Sequence, residues 1–248
     1  MFNFNIDKRI IYVIIAILVV FSVVNYARNP MELVALLLTL PGVIIAITFH
    51  EFAHAFAADK LGDDTPRYQK RLTLNPLAHI DPIGFFMLIF VHFGWGKPVE
   101  INPNNFDRKI SARAGEAIVA AAGPIMNILL AFVIAIIFYA LQVFATGFAI
   151  GTQTGMIIMT MLQYAVIVNV GLGVFNLIPL PPLDGSKVLM GFLPYNAKRW
   201  FEDHEKVFYI IFLVIWITPI ASLIISPAID AITSGIDSLV SGLFSLFM

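Results

Sequence analysis

Residues 33–58 read LVALLLTLPGVIIAITFHEFAHAFAA, an unbroken apolar run that ends in His50-Glu51-Phe52-Ala53-His54. Residues four apart share one face of a helix, so His50 and His54 can converge on one metal ion. Glu51, next to the first imidazole, then stands beside the bound water as general base rather than ligand, the arrangement of an H-E-x-x-H metal-dependent peptidase. Three ionisable side chains within five residues of an apolar segment cost several kcal/mol to insert into a bilayer unless they pair or bind something. A function is the default explanation for them.

Composition sets the frame for this motif. The 248 residues are 59% hydrophobic and 12% charged, with a mean hydropathy of +0.88, far from the range of soluble globular domains. The chain reads as an integral membrane protein, which excludes the soluble peptidases that share the motif. A formal net charge of −1 and the lack of any large basic cluster argue against nucleic acid as a partner. Cys is absent, so a metal must be held by His and carboxylate. The run from Ile10 to Tyr26 follows Lys8 and Arg9 like a signal peptide but lacks a small-x-small cleavage site, and is expected to be a retained helix.

Runs long enough to cross a hydrocarbon core of about 30 Å lie near 10–27, 32–58, 115–145, 155–180 and 207–226. Two further stretches are ambiguous. Residues 82–93 are short enough to be re-entrant or in-plane, and 227–248 reads as a weak span or an interfacial amphipathic helix. The expectation is an all-α polytopic membrane protein with about five to six transmembrane helices. It forms a single membrane-embedded domain over 1–248, with an N-terminal helix 10–27, a core of about 32–193 and C-terminal helices 207–248. If the first helix starts in the cytoplasm and 82–93 does not cross, fourteen of the fifteen Lys and Arg face inward and Arg28 alone faces out. His54, six residues before Lys60, then lies about 9 Å inside the cytoplasmic end of its helix.

A catalytic zinc usually keeps three protein ligands and one open position. Asp184, in the stretch NVGLGVFNLIPLPPLDG (169–185), is the best candidate for the third, because it follows a predicted helix that also ends on the cytoplasmic side. Pro179, Pro181, Pro182 and Gly185 interrupt helical structure there and leave a segment able to aim a carboxylate. A loop carboxylate at a helix end is the alternative.

His50-Glu51-x-x-His54 together with Asn176-x-x-Pro179-x-x-Pro182-Leu183-Asp184-Gly185 closely resembles the site-2 protease family of intramembrane zinc metalloproteases. The resemblance runs roughly from Leu33 to Leu193. It implies one zinc ion per chain, held by His50, His54 and Asp184, with Glu51 as base and Asn176 holding the substrate or stabilising the transition state. Gly123-Pro124-x-x-Asn127 also matches a family pattern, read as helix packing near the site. No segment is polar or long enough to be an inserted PDZ domain, which points to the compact bacterial type. In that type the stretch GWGKPVEINPNNF (94–106), with Val99 and Ile101 alternating, is expected to be a membrane-associated β element whose edge could pair with an unwound substrate.

The function implied is hydrolysis of peptide bonds in or near transmembrane segments of membrane protein substrates, in a bacterial cell membrane and near its cytoplasmic side. The rival reading is a membrane metal transporter or sensor built on the same His and Asp side chains. A transporter should offer ligands from both membrane sides or an internal repeat, and neither is visible. A catalytically dead scaffold is a third reading, against which every expected catalytic residue is present. His79 and Asp81, set between prolines, read as structural or gating residues, and His92 as an interfacial histidine. His204 belongs to a solvated charged stretch, and Glu116 near a helix start suits the helix dipole.

Overall fold

The computed structural model describes residues 8–91 and 94–247, so the expectation for His92 lies outside the described residues. Twelve α-helices are described: α1 (Lys8–Arg28), α2 (Pro30–Lys60), α3 (Thr65–Tyr68), α4 (Pro76–His79), α5 (Pro82–Val91), α6 (Ala112–Phe144), α7 (Thr146–Ala149), α8 (Gln153–Asn176), α9 (Asp184–Phe192), α10 (Tyr195–Asp203), α11 (Glu205–Ile217) and α12 (Ile220–Phe244). Among them α2, α6 and α8 are long and apolar enough to cross a membrane. Their boundaries follow local chemistry. The Ser111 hydroxyl accepts the Ala114 N–H at the start of α6, and the Thr152 hydroxyl accepts the Gly155 N–H at the start of α8. At the end of α2, Gly62 takes φ +101°, the Gly62 N–H reaches the Asp59 carbonyl and the Asp63 N–H reaches the Ala58 carbonyl. This is a Schellman stop, which a side chain at Gly62 would strain.

The three long helices pack on one another through small residues. Gly42 of α2 lies directly against Ala165 of α8, where an added Cβ would sit 2.7 Å from the Ala165 Cα. Such close approach is how apolar helices associate when lipid offers the same hydrophobic environment as a neighbour. The core continues with Ala131, Ile134 and Ala135 of α6, Val166 and Val170 of α8, and Ile236 and Val240 of α12. All are buried, so α12 belongs to the bundle although it carries Asp230 and Asp237.

The structure revises three expectations. The run 207–226 is not one helix: α11 stops at Ile217 and α12 starts at Ile220, with Thr218 in extended backbone (φ −110°, ψ 161°), the conformation favoured for a residue that precedes a proline. Pro227, where the sequence suggests a new segment, lies inside α12. The β element of 94–106 reduces to one antiparallel bridge, Ile80 to Gly96, and no strand forms among the described residues. Pro98 and Pro103 supply no ladder donor, and the Val99 N–H is engaged elsewhere. Among the described residues helix α5 is ten residues, about 15 Å, less than the thickness of a hydrocarbon core. Its last carbonyls are met by α1, where the Tyr26 hydroxyl donates to Ile89 at 2.7 Å and the Ser22 hydroxyl donates to Phe90.

Candidate metal centre

Helix α2 places His50 and His54 one turn apart on its buried face, with ring centroids 4.6 Å apart and ring planes at 86°. Each imidazole is oriented through Nδ1. The Nδ1–H of His50 donates to the Asn127 Oδ1 of α6 at 2.6 Å, and that of His54 donates to the Val119 carbonyl at 2.7 Å. The oxygen of Asn127 faces His50 because its amide nitrogen is committed to the Ala46 carbonyl and to the Asn169 Oδ1, both at 3.0 Å. Asn169 in turn donates to the Ala165 carbonyl at 2.8 Å. With both Nδ1 atoms protonated, both Nε2 atoms carry lone pairs.

Those lone pairs point at each other. The two Nε2 atoms are 3.0 Å apart, and the Asp184 Oδ2 lies 3.1 Å from the Nε2 of His50 and 3.2 Å from that of His54. Three acceptors converging without a donor is unfavourable unless a cation sits among them. Tetrahedral zinc bonded at about 2.0–2.1 Å sets its ligands roughly 3.3 Å apart, so the triangle matches a metal site in both size and donor chemistry. The three side chains are therefore positioned to bind a metal ion.

Asp184 reaches this position as the first residue of α9. Gly185 lets that turn press against the end of α8, since a Cβ there would run into the Leu177 and Ile178 carbonyls. Gly123 of α6 plays the matching part from the other side. A Cβ on Gly123 would come within 2.5 Å of the His54 Nε2 and 2.7 Å of the His50 Cε1. The Gly123-Pro124-x-x-Asn127 pattern thus makes room for the two rings and supplies the oxygen that orients one of them, a more direct part than helix packing.

Glu51 is half-buried, and its Oε2 accepts the Val99 backbone N–H at 3.1 Å. Asn176, the last residue of α8, makes no hydrogen bond to the triangle; its amide donates to the Leu172 carbonyl of its own helix at 3.0 Å. Asn169, the Val119 carbonyl and the Val99 N–H do not figure in the sequence reading. A polar side chain inside the apolar run VIVNVGLG could have flagged Asn169, whereas nothing in a sequence marks a backbone group. The remaining flagged residues lie apart. Asp81 caps α5 by accepting the Gly84 N–H at 2.8 Å, the exposed His204 bonds the Trp200 carbonyl, and Glu116 pairs with Lys198 at 3.9 Å. His79 is fully buried beside the Ile80–Gly96 bridge.

Residues 38–219 match the model of Peptidase family M50. The chain belongs to this family, that of the site-2 proteases. It is 34% identical over 202 residues to the “Putative zinc metalloprotease YwhC” of Bacillus subtilis, an alignment covering 82% of this chain and 90% of that relative. It is 30% identical over 194 residues to the “Putative zinc metalloprotease Rip2” of Mycolicibacterium smegmatis, covering 74% of this chain and 68% of the relative. The protein of that name from Mycobacterium tuberculosis is 25% identical over 186 residues. No solved structure matches the chain. Membership in M50 makes this a zinc metalloprotease, and the convergence of His50, His54 and Asp184 gives the zinc a place within it.

Proposed function

We propose that this metalloprotease hydrolyses peptide bonds in or next to the transmembrane segments of membrane protein substrates, in the cell membrane and close to its cytoplasmic face. One observation carries the reading: three lone-pair donors meet where two apolar, membrane-length helices, α2 and α6, pack against each other, with α9 closing the triangle. A protease sited there meets its substrates in the bilayer. The inward bias of Lys and Arg supports the cytoplasmic side.

In this reading His50, His54 and Asp184 hold the zinc, and Glu51 and Asn176 act on the substrate. Zinc supplies Lewis acidity, making a water nucleophilic near neutral pH and polarising the scissile carbonyl. Glu51 takes the proton of the attacking water and returns it to the leaving amine nitrogen. Asn127 and the Val119 carbonyl keep the imidazoles in the tautomer that leaves Nε2 free. Asn176, released from the Leu172 carbonyl, gives its amide to the substrate backbone or the developing oxyanion. A helical peptide bond in lipid is shielded by its own hydrogen bonds, so the substrate helix must unwind before attack, and helix-weakening residues near the cut favour cleavage.

The test uses purified protein in detergent, wild type and Glu51→Gln, incubated with single-span membrane peptides and mapped by mass spectrometry. Wild type is expected to cut within or beside a span, and Glu51→Gln to keep stoichiometric zinc and cut nothing. Cleavage by both proteins would remove Glu51 from the mechanism.

A further inference from the structure

We propose that His79 is a positioning residue for Glu51, acting through the backbone of residues 96–99; the inference rests on the reading of Glu51 as general base. His79 closes α4 and is fully buried. Its Nε2 lies 2.7 Å from the Thr73 carbonyl, an acceptor, so Nε2 carries the proton and ties the ring back across the turn. The same turn is held by the Asn75 side chain, which accepts the Leu77 N–H at 3.1 Å, and by the Arg71 guanidinium, which donates to the Ala78 carbonyl. The His79 carbonyl is thereby fixed in direction.

That carbonyl accepts the Lys97 N–H at 2.7 Å, next to the bridge between Ile80 and Gly96. Two residues further on, the Val99 N–H donates to the Glu51 Oε2 at 3.1 Å. Pro98 lies between the two bonds, its φ locked by the ring and the residue before it confined to extended backbone. A shift at Lys97 therefore passes to Val99 instead of being absorbed between them. Gly96 allows the close packing this needs: a Cβ there would sit 2.9 Å from the Ile47 Cγ2, 3.2 Å from the His79 carbonyl oxygen and 3.6 Å from the Glu51 Oε1. One hydrogen bond anchors the imidazole to Thr73, and the path from the His79 carbonyl to the carboxylate consists of two more joined through Pro98.

The ring offers a clean test, because it uses Nε2 and leaves Nδ1 without a hydrogen-bond partner among the described residues. Gln places an amide nitrogen near the Nε2 position, and Asn places one near the unused Nδ1 position. On a peptide that wild type cuts, His79→Asn is expected to lower kcat about tenfold to hundredfold, the scale of a small misplacement of a catalytic group, with KM and zinc content unchanged. His79→Gln is expected to recover most of that loss. Val99→Pro, which deletes the N–H and leaves His79 in place, should reproduce the kcat defect.

Hydrogen–deuterium exchange supplies a readout independent of cleavage: the Val99 amide should exchange faster in His79→Asn and at the wild-type rate in His79→Gln. Equal exchange at Val99 in all three proteins, a loss expressed in KM or zinc content, or His79→Gln as impaired as His79→Asn would overturn the proposal. Should wild type cut no peptide, the proposed function fails and the exchange result alone decides the coupling.

Discussion

Asn127 shows most clearly how a single residue controls this site. Its oxygen sets the His50 tautomer because its nitrogen has two other acceptors, and all of these groups are buried. Asn127→Ala removes that anchor and leaves the Nδ1 proton free to move to Nε2, where it blocks the metal lone pair. Zinc affinity is expected to fall about 10–100-fold, as for other partners that orient a metal-binding histidine, measured by competition with a chelator. Unchanged affinity would mean that the imidazole is oriented by its helix alone. The His50-Glu51-x-x-His54 motif was legible because its geometry is set by one helical turn. Asn127 was legible only as a pattern, since its partner lies 77 residues away on another helix. Asn176, read as a site residue, turns toward its own helix, a preference no sequence displays.

Elements are where local signals and long-range contacts compete. The apolar periods located α2, α6 and α8 to within a few residues, but an uninterrupted hydropathy profile masked the break at Pro219. Alternation of Val99 and Ile101 suggested a strand, yet its backbone donor serves Glu51. After the Gly62 stop of α2, Asp63 organises the next loop. Its buried carboxylate accepts the Thr65 N–H at 3.0 Å and hydroxyl at 2.5 Å, the Asn102 N–H at 2.7 Å and the Asn105 amide at 2.9 Å. Burial alone would push this carboxyl up, but the hydrogen bonds outweigh it and hold the group below the usual carboxylate range.

A depressed folded pKa means that the contribution is fully present above the unfolded value of about 3.9 and is lost as pH falls through the lower folded value. Thermal stability in detergent is therefore expected to drop below about pH 4, and Asp63→Asn to flatten that part of the profile. Asp63→Ala, which orphans several buried donors, should cost about 3 kcal/mol. An acid limb identical in wild type and Asp63→Asn would assign the loss to other carboxylates.

At the scale of the whole molecule, the orientation of the bundle in the membrane is the open quantity that charge distribution addresses. The chain has no Cys, so single cysteines report topology without background. With the Lys- and Arg-rich loops inside, an impermeant maleimide is expected to label Gln153→Cys in intact cells and Asn104→Cys only after the membrane is opened. The reverse pattern would put the metal centre near the outer face. By itself the sequence determined the membrane class, the places of α2, α6 and α8 and the two histidines; of the five runs it offered as spans, these three are long and apolar enough to cross among the described residues. Hydropathy and a four-residue spacing are properties of contiguous chain, fixed before any helix meets another. The sequence put Asp184 forward as the third ligand, but only the tertiary structure brought it to the two histidines, set Asn127 and the Val119 carbonyl as the acceptors that keep each imidazole proton on Nδ1, and closed 96–99 on Glu51. Each of these is a contact between groups 48 to 134 residues apart, made possible by close approaches at Gly123, Gly185 and Gly96 that no local stretch of chain specifies.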